Sequence, residues 1–175
     1  MNTQRRVQIK SYLLALFFCL LAIAFDQYTK WLAVQHLKDQ EPFIIIRGVF
    51  QLYYLENQGA AFGIFQGLQK FFMIGAIVIS LLVAWAYSRL PHTKRYYPLR
   101  ICAVLIVSGA IGNMIDRIRQ NYVVDFFYFN LIDFPVFNVA DCYVVIACFL
   151  FAALILFYYK DHDLEIFALK KEKKD

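Results

Sequence analysis

The chain has 175 residues, 61% of them hydrophobic, and a formal charge of +5. A soluble domain is roughly 45–50% apolar; the excess here falls in long blocks, which excludes an ordinary soluble domain and points to an integral membrane protein. The Lys and Arg residues lie between and beyond those blocks, so nucleic-acid binding is not expected and the basic residues read as topology determinants.

Arg5, Arg6 and Lys10 precede the apolar run SYLLALFFCLLAIAF. A basic start, an apolar core and Ala22-Ile23-Ala24 have the shape of a cleavable signal sequence. The apolar pattern resumes after Asp26 with Trp31 to Val34, so an uncleaved first span over about 12–34 is the preferred reading. Asp26 and Lys30 stand four apart on one helical face, near the outer end of this span. They fit an ion pair that finishes a helix, or a carboxylate that braces polar groups near a site. Residues 43–58 suggest two short strands, Phe43–Ile46 and Val49–Leu55, around a turn at Gly48. The small residues of Glu56-Asn57-Gln58-Gly59-Ala60-Ala61-Phe62-Gly63 would let backbones approach closely. Asn57 fits a turn residue or a functional one.

A second span is predicted over about 69–88, a third over 99–116 and a fourth over 137–159. At roughly 20 residues each, four spans need about 80 residues. Pro91 and Pro98 bound the basic connection that holds Arg89, Lys94, Arg95 and Arg100. Ser108, Gly109, Ala110 and Gly112 suit close helix packing in lipid. Residues 160–175 form a charged tail that is expected to be solvated. The N-terminus, the 89–100 connection and the tail hold 12 of the 18 Lys and Arg residues. The positive-inside rule makes their side cytoplasmic. Both termini are then inside. Asp26, Asn57, Asn113, Asp116, Arg117, Asp125, Asn138 and Asp141 fall at or beyond the outer ends of the spans.

The stretch Gly112–Asp141 holds four aspartates between two apolar runs. Charge in that setting is costly unless it is paired, wetted or functional. Asn113, Asp116 and Arg117 share a face at the end of the third span, and Asn138 and Asp141 lie three apart at the start of the fourth. Asp125, from the connection, can reach the same place. Two nearby carboxylates share one proton and can do general base and general acid work on a water. Arg117 is a fixed cation, suited to pair with Asp116 or to orient a carbonyl. The structural alternative makes Asp125 and Asp133 loop residues and gives Asn138 and Asp141 to a helix cap.

No HExxH, GxSxG or phosphate-binding glycine loop is present, and the histidines are scattered, so neither metal nor cofactor is expected. Cys19, Cys102, Cys142 and Cys148 form no CxxC pair and read as ordinary thiols. A transporter would need polar groups in mid-span, yet the second and fourth spans are almost wholly apolar there. A non-catalytic assembly factor would tolerate loss of both aspartates.

Five segments together resemble the bacterial lipoprotein signal peptidases, or signal peptidase II. They are Asp26-Gln27-Tyr28-Thr29-Lys30, Glu56-Asn57-Gln58-Gly59-Ala60-Ala61-Phe62, Gly112-Asn113-Met114-Ile115-Asp116-Arg117, Val124-Asp125-Phe126 and Phe137-Asn138-Val139-Ala140-Asp141, in the family's order and spacing. The resemblance implies an all-α integral membrane protein with four transmembrane helices, a small extracytoplasmic β-cradle and a short interfacial helix. It implies an aspartic peptidase of the bacterial inner membrane, with its active site at the outer, periplasmic face. Its partners would be the lipid bilayer and diacylglyceryl-modified prolipoproteins, cut just before the lipidated cysteine; no obligate protein partner is expected, and a monomer is. Asp125 and Asp141 would be the catalytic pair. Asn57, Asn113, Arg117 and Asn138 would line the substrate site, with Asp26, Lys30, Gly59 and Asp116 in support. Asp116 reads as the partner of an arginine. Cys142-Tyr143 departs from the family pattern, in which smaller or less reactive residues are common.

Overall fold

The computed structural model describes residues 3–59 and 69–167. Among them, four helices are long and apolar enough to cross a bilayer. Helix α1 runs Thr3–Leu37, α2 Gln69–Arg89, α3 Tyr97–Gln120 and α4 Val139–Ala153, and a π-helical turn over Leu154–Tyr158 extends α4. Each lies where the apolar pattern predicts a span. The main difference is α1, which continues past both predicted ends. Its basic first turns are good helix formers, and no breaker follows until Asp39, which has φ 58°, and Pro42. Asp26 therefore stands about 16 Å before the last residue of α1, at 1.5 Å per residue, and not at the helix end.

Helix α3 is the centre of the bundle and packs against α1, α2 and α4. Its small residues make this possible. A Cβ on Gly109 would stand 2.5 Å from the Ala140 carbonyl oxygen, and one on Gly112 would stand 2.6 Å from Asp26 Oδ2. Contacts this close, to backbone at Gly109 and to a side chain at Gly112, exclude even a methyl group.

The sheet caps one end of the bundle. Strand β1 (Phe43–Ile46) pairs antiparallel with β2 (Phe50–Asn57), and β2 pairs antiparallel with β3 (Val123–Tyr128). Gly48, at φ +73°, makes the β1–β2 turn. Strand β3 was expected only as a connection. Its run Val-Val-Asp-Phe-Phe-Tyr has the β-branched and aromatic content of a strand, and pairing with β2 satisfies its backbone. A register shift between Leu52 and Leu55 resets the alternation before Leu55 meets Asp125. Phe126 and Phe127 donate to the Phe137 carbonyl at 3.0 and 2.8 Å, and Phe137 N–H returns a bond to Phe127 at 3.0 Å. These bonds fasten the start of α4 to β3.

Two apolar clusters flank a polar middle. One, below the sheet, gathers Ala33, Val124, Phe126 and Val139. The other, at the opposite end, gathers Leu90, Tyr96, Leu99, Cys102, Ala147, Leu154 and Tyr159. In the first part of the tail Lys160, Asp161, His162 and Glu165 are exposed, as expected, and Asp163 is the exception. Helix α5 (Asp161–Leu164) folds back, and buried Asp163 takes Arg95 Nε and Nη2 at 2.7 and 2.6 Å. Among the described residues no helix matches the short interfacial one, and residues 60–68 and 168–175 lie outside them.

Candidate active site

Between the two clusters, α1, α3, β2, β3 and α4 bring polar side chains together. The base of the site is Lys30. An ammonium has three donors, and all three are used: Asp26 Oδ2 at 2.9 Å, Asp116 Oδ2 at 2.9 Å and Asn113 Oδ1 at 2.8 Å. Burial makes an unpaired charge here costly, and the chain meets that cost with two carboxylates around one cation. Gln27 completes the group. Its Nε2 donates to Asp116 Oδ1 at 2.8 Å, and to Asp26 Oδ2 and the Gly112 carbonyl at 3.2 Å each.

The first turn of α4 is satisfied from this base. Ala140 N–H donates to Asp26 Oδ1 at 2.9 Å. Asn138 is the N-cap: its Oδ1 accepts from Asp141 N–H at 3.0 Å, and Asp141 Oδ2 accepts from Asn138 N–H at 3.1 Å. This reciprocal box satisfies helix-end donors that would otherwise be orphaned. It also fixes the Asn138 amide, because an Oδ1 turned to the helix leaves Nδ2 facing outward. That Nδ2 donates to Asp125 Oδ1 at 2.6 Å and to Asn113 Oδ1 at 3.0 Å. Asn57 Nδ2, from the end of β2, donates to Asp125 Oδ2 at 2.8 Å, and Asn57 Oδ1 accepts from Gly59 N–H at 2.9 Å. Asn113 Nδ2 donates to Asp141 Oδ1 at 2.8 Å.

Asp125 and Asp141 are thus each held by two donors, and both touch Asn138. Asp125 is 1% exposed. Its burial, and then the charge of Asp141, push its pKa up to about 7, against the pull of the Asn57 and Asn138 amides. Two such carboxylates share one proton near neutral pH. One is then free to take a proton from water while the other gives a hydrogen bond, which is what hydrolysis of an amide requires.

The structure brings Asp26, Lys30, Asn57, Gly59, Asn113, Asp116, Arg117, Asp125, Asn138 and Asp141 to this one region. Asn138 and Asp141 do cap α4, and the same two residues join the polar network, so the cap leaves room for a second role. Asp116 does not pair with an arginine. Lys30 reaches it across the α1–α3 contact, and the Val124 N–H also donates to it at 3.3 Å. Arg117 makes no ion pair among the described residues. It lies over the Phe72 ring, 5.2 Å from the centroid, with long contacts to the Asn113 and Gly59 carbonyls at 3.4 and 3.5 Å. Asp133 is a loop residue that accepts from the Tyr128 hydroxyl at 2.6 Å. Sequence reasoning gave Gln27 no role, although a polar residue beside Asp26 inside an apolar helix was a signal for one. Tyr143 gains an account: its hydroxyl donates to the Ala22 carbonyl at 3.2 Å and ties α4 to α1.

The family profile of signal peptidase (SPase) II matches residues 18–157. The lipoprotein signal peptidase of Clostridium tetani is 41% identical over 148 residues, which cover 83% of this chain and 92% of that one. The lipoprotein signal peptidase of Caldanaerobacter subterraneus subsp. tengcongensis is 40% identical over 134 residues, 75% of this chain and 88% of that one. A bacterial membrane enzyme solved at 2.3 Å by the in meso method superposes with a TM-score of 0.72 at 29% identity, covering 92% of this chain and 93% of that one. The matched span contains every residue of the polar network, and the chain belongs to the signal peptidase II family of membrane peptidases.

Proposed function

We propose that this peptidase removes signal peptides from prolipoproteins that carry a diacylglyceryl group on a cysteine, cutting just before that cysteine, with Asp125 and Asp141 as the catalytic pair. The observation that carries the reading is the single Asn138 side chain and backbone that hold both carboxylates, buried Asp125 at 2.6 Å and half-buried Asp141 at 3.1 Å. Asp125, with its raised pKa, carries the shared proton. The negative charge of the pair is assigned to Asp141, which stands in the first turn of α4, where the helix dipole favours it. A water held between them gives a proton to Asp141 and attacks the scissile carbonyl carbon. Asp125 donates its hydrogen bond to the carbonyl oxygen. When the tetrahedral adduct collapses, the C–N bond breaks, the amine takes a proton from the pair, and one proton remains shared. Arg117, a cation without an ion-pair partner in the described residues, orients the substrate backbone beside them. Asn57 and Asn113 hold the two carboxylates in place.

The substrate's acyl chains remain in the bilayer, so the scissile bond lies at the membrane surface and reaches the site by lateral diffusion. The protein resides in the bacterial cytoplasmic membrane with both termini inside and the site at the outer face. The one-sided basic residues support this orientation. Asp125→Asn and Asp141→Asn are each expected to lower cleavage of a lipidated prolipoprotein by roughly 10²–10⁴-fold, the range for loss of a positioned acid or base. Near-wild-type turnover in both variants would remove the pair from the mechanism.

A further inference from the structure

At the end of the bundle away from the sheet, α1 and α3 enclose a groove of about 1110 Å³. Its walls are apolar along α1, with Leu14, Phe18, Leu21 and Phe25, and Val104 opposite. Its other end is cationic. Lys10, His92 and Arg100 line it, and no Asp or Glu does. From Lys10 to Phe25 the helix rises about 22 Å at 1.5 Å per residue. One leaflet of a bilayer roughly 40–45 Å thick has that depth, headgroups included.

Arg100 is the unusual member. It is 7% exposed and has only neutral partners: Ser11 Oγ at 3.0 Å, the Leu90 and Pro91 carbonyls at 2.7 and 3.4 Å, and His92 Nδ1 at 3.2 Å. Its face lies over Tyr87, 4.5 Å from the ring centroid. Its Nε has no acceptor among the described residues. The carbonyls at the end of α2 offset part of the charge through the helix dipole, and a full anion is still missing. Two other buried or half-buried basic groups contrast with it, whereas Arg117, also half-buried and without an ion pair among the described residues, stands at the candidate active site. Lys30 has two carboxylates and Arg95 has one. His92 adds no compensating negative charge; burial first, and then Arg100, hold its pKa below the ordinary histidine value.

We infer that this groove binds one anionic phospholipid of the leaflet at the basic end, its headgroup phosphate beside Lys10 and Arg100 and an acyl chain along the apolar walls. A headgroup with net negative charge supplies the missing counter-ion, and a chain-length apolar slot supplies the reason that the anion is a lipid. Its basic end lies at the opposite end of the bundle from Asp125, its apolar end reaches Phe25 beside Asp26, and lipid binding there does not depend on the proposed cleavage chemistry.

The test is native mass spectrometry of the full chain, released from nanodiscs that hold equal amounts of phosphatidylglycerol and phosphatidylcholine. Thermal melts with added inorganic phosphate run alongside. Arg100→Ala also removes the cap on α2, so the informative variants are Lys10→Gln, on an exposed residue, and Ala15→Phe, which fills the groove wall. The wild type is expected to retain one phosphatidylglycerol selectively. Lys10→Gln is expected to weaken that retention about fivefold, the effect of one lysine at an anionic surface. Ala15→Phe, with its peptidase activity intact, is expected to abolish it. Equal retention of the two lipids, retention unchanged in both variants, or stabilisation by inorganic phosphate alone would overturn the inference.

Discussion

Asn138 joins three jobs in one side chain: it caps α4, positions Asp141 and holds Asp125. Every donor and acceptor of its amide is used, so the geometry of the two carboxylates depends on the helix cap. Asp125 sets the pH behaviour. In the proposed mechanism the pair works with one proton, and burial with the Asp141 charge pushes the Asp125 pKa up to about 7. Activity is therefore expected to fall as pH rises through about 7, and a flat kcat/KM profile across that value would contradict the assignment. Stability follows the same sign. A raised carboxylate pKa means that the native state holds the proton more tightly, so this contribution is complete below the ordinary Asp value of about 3.9 and is lost as pH climbs towards 7. Lys30 sets the cost of disturbing the base. Lys30→Met leaves Asp26 and Asp116 buried against each other, and a loss of about 3–5 kcal/mol is expected in denaturation measurements; a loss below about 1 kcal/mol would show that the ion triad is not holding the fold. The i, i+3 and i+4 spacing displayed Asp26 with Lys30, Asn113 with Asp116 and Arg117, and Asn138 with Asp141, while Asn57 and Asp125 gained their roles only through the family resemblance. It did not display that Lys30 is the partner of Asp116, because that contact crosses between helices.

The helices were legible from their apolar runs, since a span must satisfy its own backbone and has little choice of structure. Strand β3 was not, because a strand is completed by its neighbour, and the Asp in its middle read as a loop residue. Helix α5 was hidden for a related reason: its anchor is Asp163 against Arg95, a partner far back in the chain. At this scale the small residues of α3 give a paired prediction. Gly112→Ala forces a methyl group against Asp26 Oδ2 and should cost about 1–3 kcal/mol with a loss of activity. Gly75→Ala, in α2, meets nothing within 4 Å and should be neutral or stabilise by about 0.5–1 kcal/mol. Thermal melts of the two variants separate close packing from helix propensity; equal effects would show that the α1–α3–α4 contact tolerates a side chain.

Across the whole molecule, apolar side chains such as Leu81, Phe149 and Phe157 stand 65%, 75% and 86% exposed. In a bundle of spans this is the surface that faces lipid. Basic segments gather at one end and the sheet at the other, and the proposed orientation follows from that asymmetry. Asp39→Cys, beside the sheet, is expected to react with a membrane-impermeant maleimide added to spheroplasts, and Lys94→Cys only after lysis. The reverse pattern would place the site inside the cell. The backbone bonds between β3 and Phe137 bear on the order of assembly. They close a short loop between Phe127 and Phe137, with Asp125 just before it and Asn138 and Asp141 just after it, so the two carboxylates come from one late segment of the chain. Their support does not: Asp26 and Lys30 belong to the first helix and Asn57 to the second strand. As the chain is made from its N-terminus, the supporting groups stand in the membrane before either carboxylate arrives. The proposed hydrolytic pair is then completed only when α4 is made, and a nascent chain that ends before α4 is without it.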